Sequence, residues 1–267
     1  MTATTFLLPG FGLIVGFFAS LTGVGGGVII FPVLTLLYGF APQQAVGTSL
    51  GMIIFTAIAS SFSYFKQKRI FFRTGLLLSV TTVPGAYLGA YLTTVLSARV
   101  LGGLFGLFLI YIAGRMIFMS AARGAASPAG GDLIERPTCS DRELVASRGP
   151  VFQAVALGLL AGVASGLLGI GGGAVAVPIM TLVLHMPIHY ATATSMFTMI
   201  FTSLAGVLKH HLAGHVHWPV AVLLGAGTVF GAQVGARLSR KISGRLLRLV
   251  FGLVLLAVSV EMMAKYL

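Results

Sequence analysis

The sequence predicts an all-α membrane protein made of two inverted repeats, each a glycine-broken hairpin segment followed by three transmembrane helices. Three observations predict it. The 267 residues are 57% hydrophobic and only 8% charged, with a mean hydropathy of +1.01, whereas soluble domains carry roughly 25% charge. No Asp, Glu, Lys or Arg occurs from Met1 to Phe65, or from Gly149 to Leu208. Each of those stretches exceeds the length of one bilayer-spanning helix, about 20 residues. Finally, the chain repeats itself at an offset of 146.

The repeat is visible residue by residue. Thr22-Gly-Val-Gly-Gly-Gly27, followed by Pro32, returns as Leu168-Gly-Ile-Gly-Gly-Gly173, followed by Pro178. Ala45, Thr48 and Ser49 return as Ala191, Thr194 and Ser195, and Gly85 and Gly89 as Gly231 and Gly235. Residues 1–120 and 150–267 are the two predicted repeats. Between them, 121–149 is rich in Ala, Gly, Pro and charge, a hydrophilic linker expected in the cytoplasm.

Turn signals and charges divide each repeat into four apolar segments, at 6–38, 43–65, 74–96 and 99–120, then 151–186, 189–211, 218–238 and 246–265. The chain start lacks the basic stretch of a signal peptide, so Phe6 onward reads as mature protein. The first segment of each repeat is too long for one crossing and is cut by three glycines. Charge then sets the topology. The loop after the second segment holds Lys66, Lys68, Arg69 and Arg73 in repeat one, but only Lys209 and histidines in repeat two. The loop after the third segment reverses this, with Arg99 against Arg237, Arg240, Lys241, Arg245 and Arg248. Basic loops face the cytoplasm, so equivalent loops are expected on opposite sides, which defines inverted repeats. Each first segment must then turn back on itself, and the two glycine turns should meet inside the bilayer from opposite faces.

Those turns are the candidate site. Gly25-Gly26-Gly27 and Gly171-Gly172-Gly173 precede helical arms, where free N–H groups and the positive end of the helix dipole converge without a blocking side chain. That chemistry suits an anion. The competing reading is a tight turn or a close helix contact. Thr48, Ser49, Thr194 and Ser195 open the next segments and offer hydroxyls to an oxyanion, or back-bond to helix carbonyls. Gln233, the most polar residue in mid-span, is expected in a cavity. No Lys-Ser/Thr follows the glycines and no strand precedes them, which excludes a nucleotide loop.

Other classes fall away. The lone Cys139 allows no intramolecular disulfide and no metal spacing. His210, His211, His215 and His217 lack acidic or thiol partners in sequence and read as an outer, solvated loop. The net charge of +12 lies in clusters between apolar runs, as membrane topology requires, and implies no nucleic acid. The apolar spans hold no Asp or Glu apart from Glu261, so neither an enzyme nor a carboxylate proton relay is expected. No cofactor is expected; the expected partners are a small anion and the lipid bilayer, with a homo-oligomer compatible.

The doubled Gly-x-Gly-Gly-Gly…Pro motif, the Ala-x-x-Thr-Ser element and the glycine-rich third segment resemble the sulfite exporter TauE/SafE family. The resemblance spans the chain outside the linker. It implies export of sulfite, sulfoacetate or related organosulfonates across the bacterial plasma membrane. An anion channel, or a carrier of another small anion, is the alternative. Leu168 in place of Thr22 and Ala193 in place of Gly47 leave the two repeats chemically unequal.

Overall fold

The computed structural model describes residues 7–122, 141, 148–239, 256, 259–260 and 263–264. Nine helices and no strand occur among the described residues. The first apolar segment is α1 (Leu8–Thr22), then α2 (Gly27–Pro32), which runs on into a π-helical turn, Val33–Leu37. Next come α3 (Pro42–Lys66), α4 (Phe72–Val95) and α5 (Ala98–Ala122). The second half gives α6 (Arg148–Leu168), α7 (Gly173–Leu182), α8 (Ile188–Leu212) and α9 (Trp218–Leu238). Apart from Asp141, the linker at 123–147 lies outside the described residues. So does most of the expected segment 246–265.

Local sequence explains the boundaries. Pro42 and Pro219 stand in the first turns of α3 and α9, where the missing N–H has no intrahelical partner to lose. Gly39 and Gly214 bend the preceding loops with φ of +66° and +72°, values that cost a glycine little. Pro32 closes α2 and the chain shifts to π spacing beyond it. A proline cannot donate the bond that would keep α spacing. At the equivalent Pro178, α7 continues to Leu182.

Four helices, α3, α4, α8 and α9, are long and apolar enough to cross a bilayer, and the chain is a multi-pass membrane protein. Val80, Leu107 and Phe230 are among many apolar side chains left exposed; lipid, not water, suits them. Since lipid tails are as apolar as the helices, tight contact between small residues must hold the bundle together. It does so across the two halves. Helix α1 packs on α9, and α6 packs on α4. A Cβ at Gly231 would collide with the carbonyl oxygen of Leu13, and one at Gly85 with that of Leu159. Gly235 meets Phe17 O in the same way that Gly89 meets Val163 O. Helix α3 is central, touching both α9 and α8. Phe31 stacks on Phe105 at 3.8 Å, which seats α2 against α5.

The loops gather at two ends. At one, Gln67 Nε2 donates to Ala236 O (3.1 Å) and Arg69 Nη1 to Ser239 Oγ (3.3 Å). There Asp141 accepts the N–H groups of Arg73 (2.9 Å) and Thr74 (3.1 Å), capping α4 from the linker. At the other end, Gln43 Nε2 donates to Leu96 O (3.1 Å) and the Phe40 ring lies 4.8 Å from that of His217.

Candidate functional site

Each glycine turn needs its glycines for two separate reasons. Gly23, Gly25 and Gly26 have φ of +76°, +92° and +84°; Gly169, Gly171 and Gly172 have +68°, +76° and +84°. Side chains rarely adopt these values. Gly27 and Gly173 are instead helical, and there the need is space. A Cβ on Gly27 would collide with Gly169 O, and one on Gly173 with Gly23 O. The two turns therefore meet, each filling the room that the other leaves. Both are buried.

The short helices start at this meeting point. Gly26 O accepts from Ile29 and Ile30, and Gly172 O from Val175 and Ala176, so Gly26 and Gly172 are the N-caps. The first N–H groups of any helix have no partner within it. The turns thus bring two sets of such donors and two positive dipole ends together in a buried place.

The structure gives the four hydroxyls definite roles in this conformation. Ser49 Oγ donates to Val46 O (2.8 Å) and lies 2.8 Å from Gly169 O. Ser195 Oγ does the same toward Thr192 O (2.8 Å) and Gly23 O (3.1 Å). Each serine thereby ties its own helix to the opposite turn. Thr48 Oγ1 accepts the N–H of His217 (3.1 Å), and Thr194 Oγ1 that of Phe71 (3.0 Å). All four are fully buried.

Two further residues at the turns escaped the sequence reading. A Cβ at Gly25 would lie 2.7 Å from Met199 Sδ, and one at Gly171 3.3 Å from the same atom. Met199 thus reaches both turns, while its equivalent, Ile53, lies against Gly171. The other is Ser165, which lies beside Gly172: the Cβ position there is 3.5 Å from Ser165 Oγ. Its hydroxyl is buried without a partner, and the equivalent residue beside Gly26 is the apolar Ala19. A lone serine in an apolar helix reads as back-bonding; only the alignment at offset 146, where Ala19 becomes Ser165, marks it.

Gln233 lines a cavity, though away from the turns. That cavity, of about 240 Å³, is formed by Phe62, Ser63, Lys66, Gln67, Gln233 and Arg237, where α3 and α9 end. The histidines divide. His210 belongs to helix α8 and is fully buried, its Nε2 3.3 Å from Gly166 O, so for this residue the expected solvated loop is replaced by a packed contact. His211 Nδ1 accepts from Trp218 Nε1 at 3.1 Å. His215 sits in the loop, its ring 5.7 Å from that of His210, and burial lowers its pKa. Glu261 lies outside the described residues.

Comparison with known proteins finds a family and relatives that span nearly the whole chain. The family described as "Sulfite exporter TauE/SafE" matches residues 8–262. The "Probable membrane transporter protein YunE" of Bacillus subtilis is 33% identical over 258 residues, covering 94% of each chain. The "Probable membrane transporter protein MJ0441" of Methanocaldococcus jannaschii is 29% identical over 259 residues, covering 91% of this chain and 90% of that one. No solved structure matches.

Proposed function

The chain belongs to the sulfite exporter TauE/SafE family, a family of membrane transporters, and from that premise we propose that it exports a small sulfur-containing anion. Sulfite, sulfoacetate or a related organosulfonate crosses the bacterial plasma membrane outward by alternating access, with 1–120 and 150–267 as inverted repeats. The linker 121–149 is cytoplasmic.

The observation that carries this reading is the meeting of the two glycine turns at the starts of α2 and α7. Broken helices that point their N-termini at a buried place are how carriers hold anionic groups. The anion contacts the N–H groups around Gly25, Gly26, Gly27, Gly171, Gly172 and Gly173. Ser49 and Ser195 hold the turns, Thr48 and Thr194 anchor the starts of α9 and α4 beside them, and Ser165 adds a hydroxyl donor on the second side. The turns touch in the present arrangement, which suits the closed member of an alternating cycle.

Reciprocal contacts support the symmetry. Ser49 reaches Gly169 while Ser195 reaches Gly23, and His217 pairs with Thr48 while Phe71 pairs with Thr194. Exchange of this kind, i with j and j with i, is what a two-fold axis produces. Gly47, near the start of α3, packs on His210 and His215 at the far end of α8. An antiparallel run of equivalent helices supports an axis crossing them, as in inverted repeats.

Proteoliposome uptake of labelled sulfite, thiosulfate, sulfoacetate and taurine, with and without a pH gradient, tests the activity. Saturable, competable flux of sulfite or an organosulfonate is expected; flux without saturation would describe a channel, and none at all would remove the proposal. Single cysteines at Gly39 and Lys68 should label from opposite faces with an impermeant maleimide. Labelling of both from one face would end the inverted reading.

A further inference from the structure

The cavity that holds Gln233 carries more than that residue. Along α3, Phe62 and Lys66 are four residues apart, as are Ser63 and Gln67, so all four share one helical face. Along α9, Gln233 and Arg237 are again four apart. The Gln67–Ala236 hydrogen bond of 3.1 Å holds the two faces together at their ends. Among the described residues, the lining has two cations, two amides and a hydroxyl, and no carboxylate. Lys66 Nζ stands 4.3 Å from the centre of the Phe62 ring, so the aromatic face steadies it.

Two like charges lining one small cavity at the edge of a low-dielectric slab repel each other, and an anion relieves that repulsion. The donor set names the anion. Arg237 offers a planar fork that matches two oxygens of an oxyanion, Lys66 a point charge, and Gln233 and Ser63 neutral donors. A volume of about 240 Å³ falls below the roughly 300–1,000 Å³ of sites for drug-sized ligands. It fits an ion of few atoms.

The equivalent cleft shows what this one has been spared. Shifted by 146, Gln233 and Arg237 become Tyr87 and Tyr91, and Ser63 becomes Lys209. There the Lys209 ammonium lies 5.1 Å from the Tyr91 ring centre and 5.9 Å from that of Tyr87. The same frame is filled from within on that side.

We propose that the Lys66–Gln67–Gln233–Arg237 cavity is a second anion site, at the cytoplasmic mouth, where a small soluble oxyanion is captured before it reaches the glycine turns. The assignment rests on the carrier reading for what the site is for, and on its own geometry for what it binds. An anionic lipid headgroup presents the same oxygen chemistry, so the two sources must be separated.

The full chain is reconstituted with zwitterionic lipid alone and, separately, with added anionic lipid. Thermal stabilisation by sulfite and sulfoacetate, and KM for transport from the cytoplasmic face, are then read. Lys66→Gln and Arg237→Gln should each raise KM about tenfold, the loss of roughly one charge-assisted hydrogen bond. Both should diminish the anion-dependent Tm shift in zwitterionic lipid. Arg237→Lys should fall between wild type and Arg237→Gln, because charge returns without the fork. Lys68→Asn, a nearby cation outside the cavity whose φ of +55° asparagine tolerates, should leave KM unchanged. The site is overturned if the double variant keeps wild-type KM and Tm shift, if Lys68→Asn acts as strongly, or if only anionic lipid gives stabilisation. If a double variant is poorly folded, the single variants, checked for monodisperse elution, decide in its place. Wild-type vesicles that move no sulfur anion would sink the carrier reading, whereas transport with an indifferent double variant would sink this site alone.

Discussion

The α3–α9 cleft and the α8–α4 cleft are the same object by position in the repeat and opposite objects by chemistry. In the first, Lys66 and Arg237 line an open cavity with Gln67 and Gln233. In the second, Tyr87 and Tyr91 stand over Lys209. By contrast, the backbone frame between the clefts barely differs: φ at Gly26 and Gly172 is +84° in both. Each serine ties the opposite turn, and each third-segment glycine receives the opposite long arm. The repeat keeps its backbone frame while the chemistry of the two clefts diverges. On the carrier proposal, such divergence would let loading and release differ.

The largest expected effects test the shared frame. Gly27→Ala and Gly173→Ala put a methyl group into the carbonyl of the other turn, and backbone there has nowhere to go. Both variants should lose more than about 3 kcal/mol, beyond ordinary overpacking, and should be nearly absent from membranes by fluorescence-detected gel filtration. Normal amounts of either would mean that the turns do not meet as described.

Next in size are Gly26→Ala and Gly172→Ala, which separate strain from crowding. Both pay for a left-handed alanine, about 1–2 kcal/mol. A Cβ at Gly26 would also stand 2.7 Å from Val15 Cγ1, whereas the nearest atom at Gly172, Ser165 Cβ, is 3.4 Å away. Gly26→Ala should therefore melt lower than Gly172→Ala. Equal melting would show the surroundings of the turns to be alike after all.

Ser49→Ala and Ser195→Ala should each cost roughly 1–3 kcal/mol by stranding a buried carbonyl of the opposite turn, and by similar amounts. A large difference between them would break the symmetry of the frame.

The smallest effect belongs to His215. Burial holds its pKa below the ordinary 6.5, so the unfolded chain binds the proton more readily than the folded one. Stability is then complete above about pH 6.5 and declines as pH falls through the folded value. A modest drop in Tm on acidification, reduced in His215→Gln, is the expected outcome; an unchanged slope would place the pH response elsewhere.

Much of the frame could be read from sequence because its signals are local. Three glycines in a row announce left-handed backbone, and the offset of 146 needs only counting. The partner of each helix has no such signal. Gly85 and Gly231 say that something approaches closely, but not that Leu159 and Leu13 do. The hydroxyls show the same gap. Thr48 and Ser49 were expected to face an anion or back-bond, and Ser49 both back-bonds and crosses to the other half, a contact 120 residues distant. Met199 and Ser165 lie at the turns through tertiary packing alone. For Gln233, polarity in mid-span pointed to a cavity; that Lys66 and Arg237 share it depends on how α3 and α9 pack.

The swapped packing of the long arms sets a problem of timing during synthesis. Helix α1 ends its search against α9, about 200 residues later in the chain. At roughly 5–20 residues per second, the ribosome delivers that partner some 10–40 s after α1 has left the exit tunnel. The first glycine turn waits almost as long, since the serine that ties Gly23 stands 172 residues beyond it. The nascent first half must therefore wait, half-assembled, in the lipid or in the hands of the insertion machinery. It is at that stage, more than in the finished molecule, that proteases and quality control would find it.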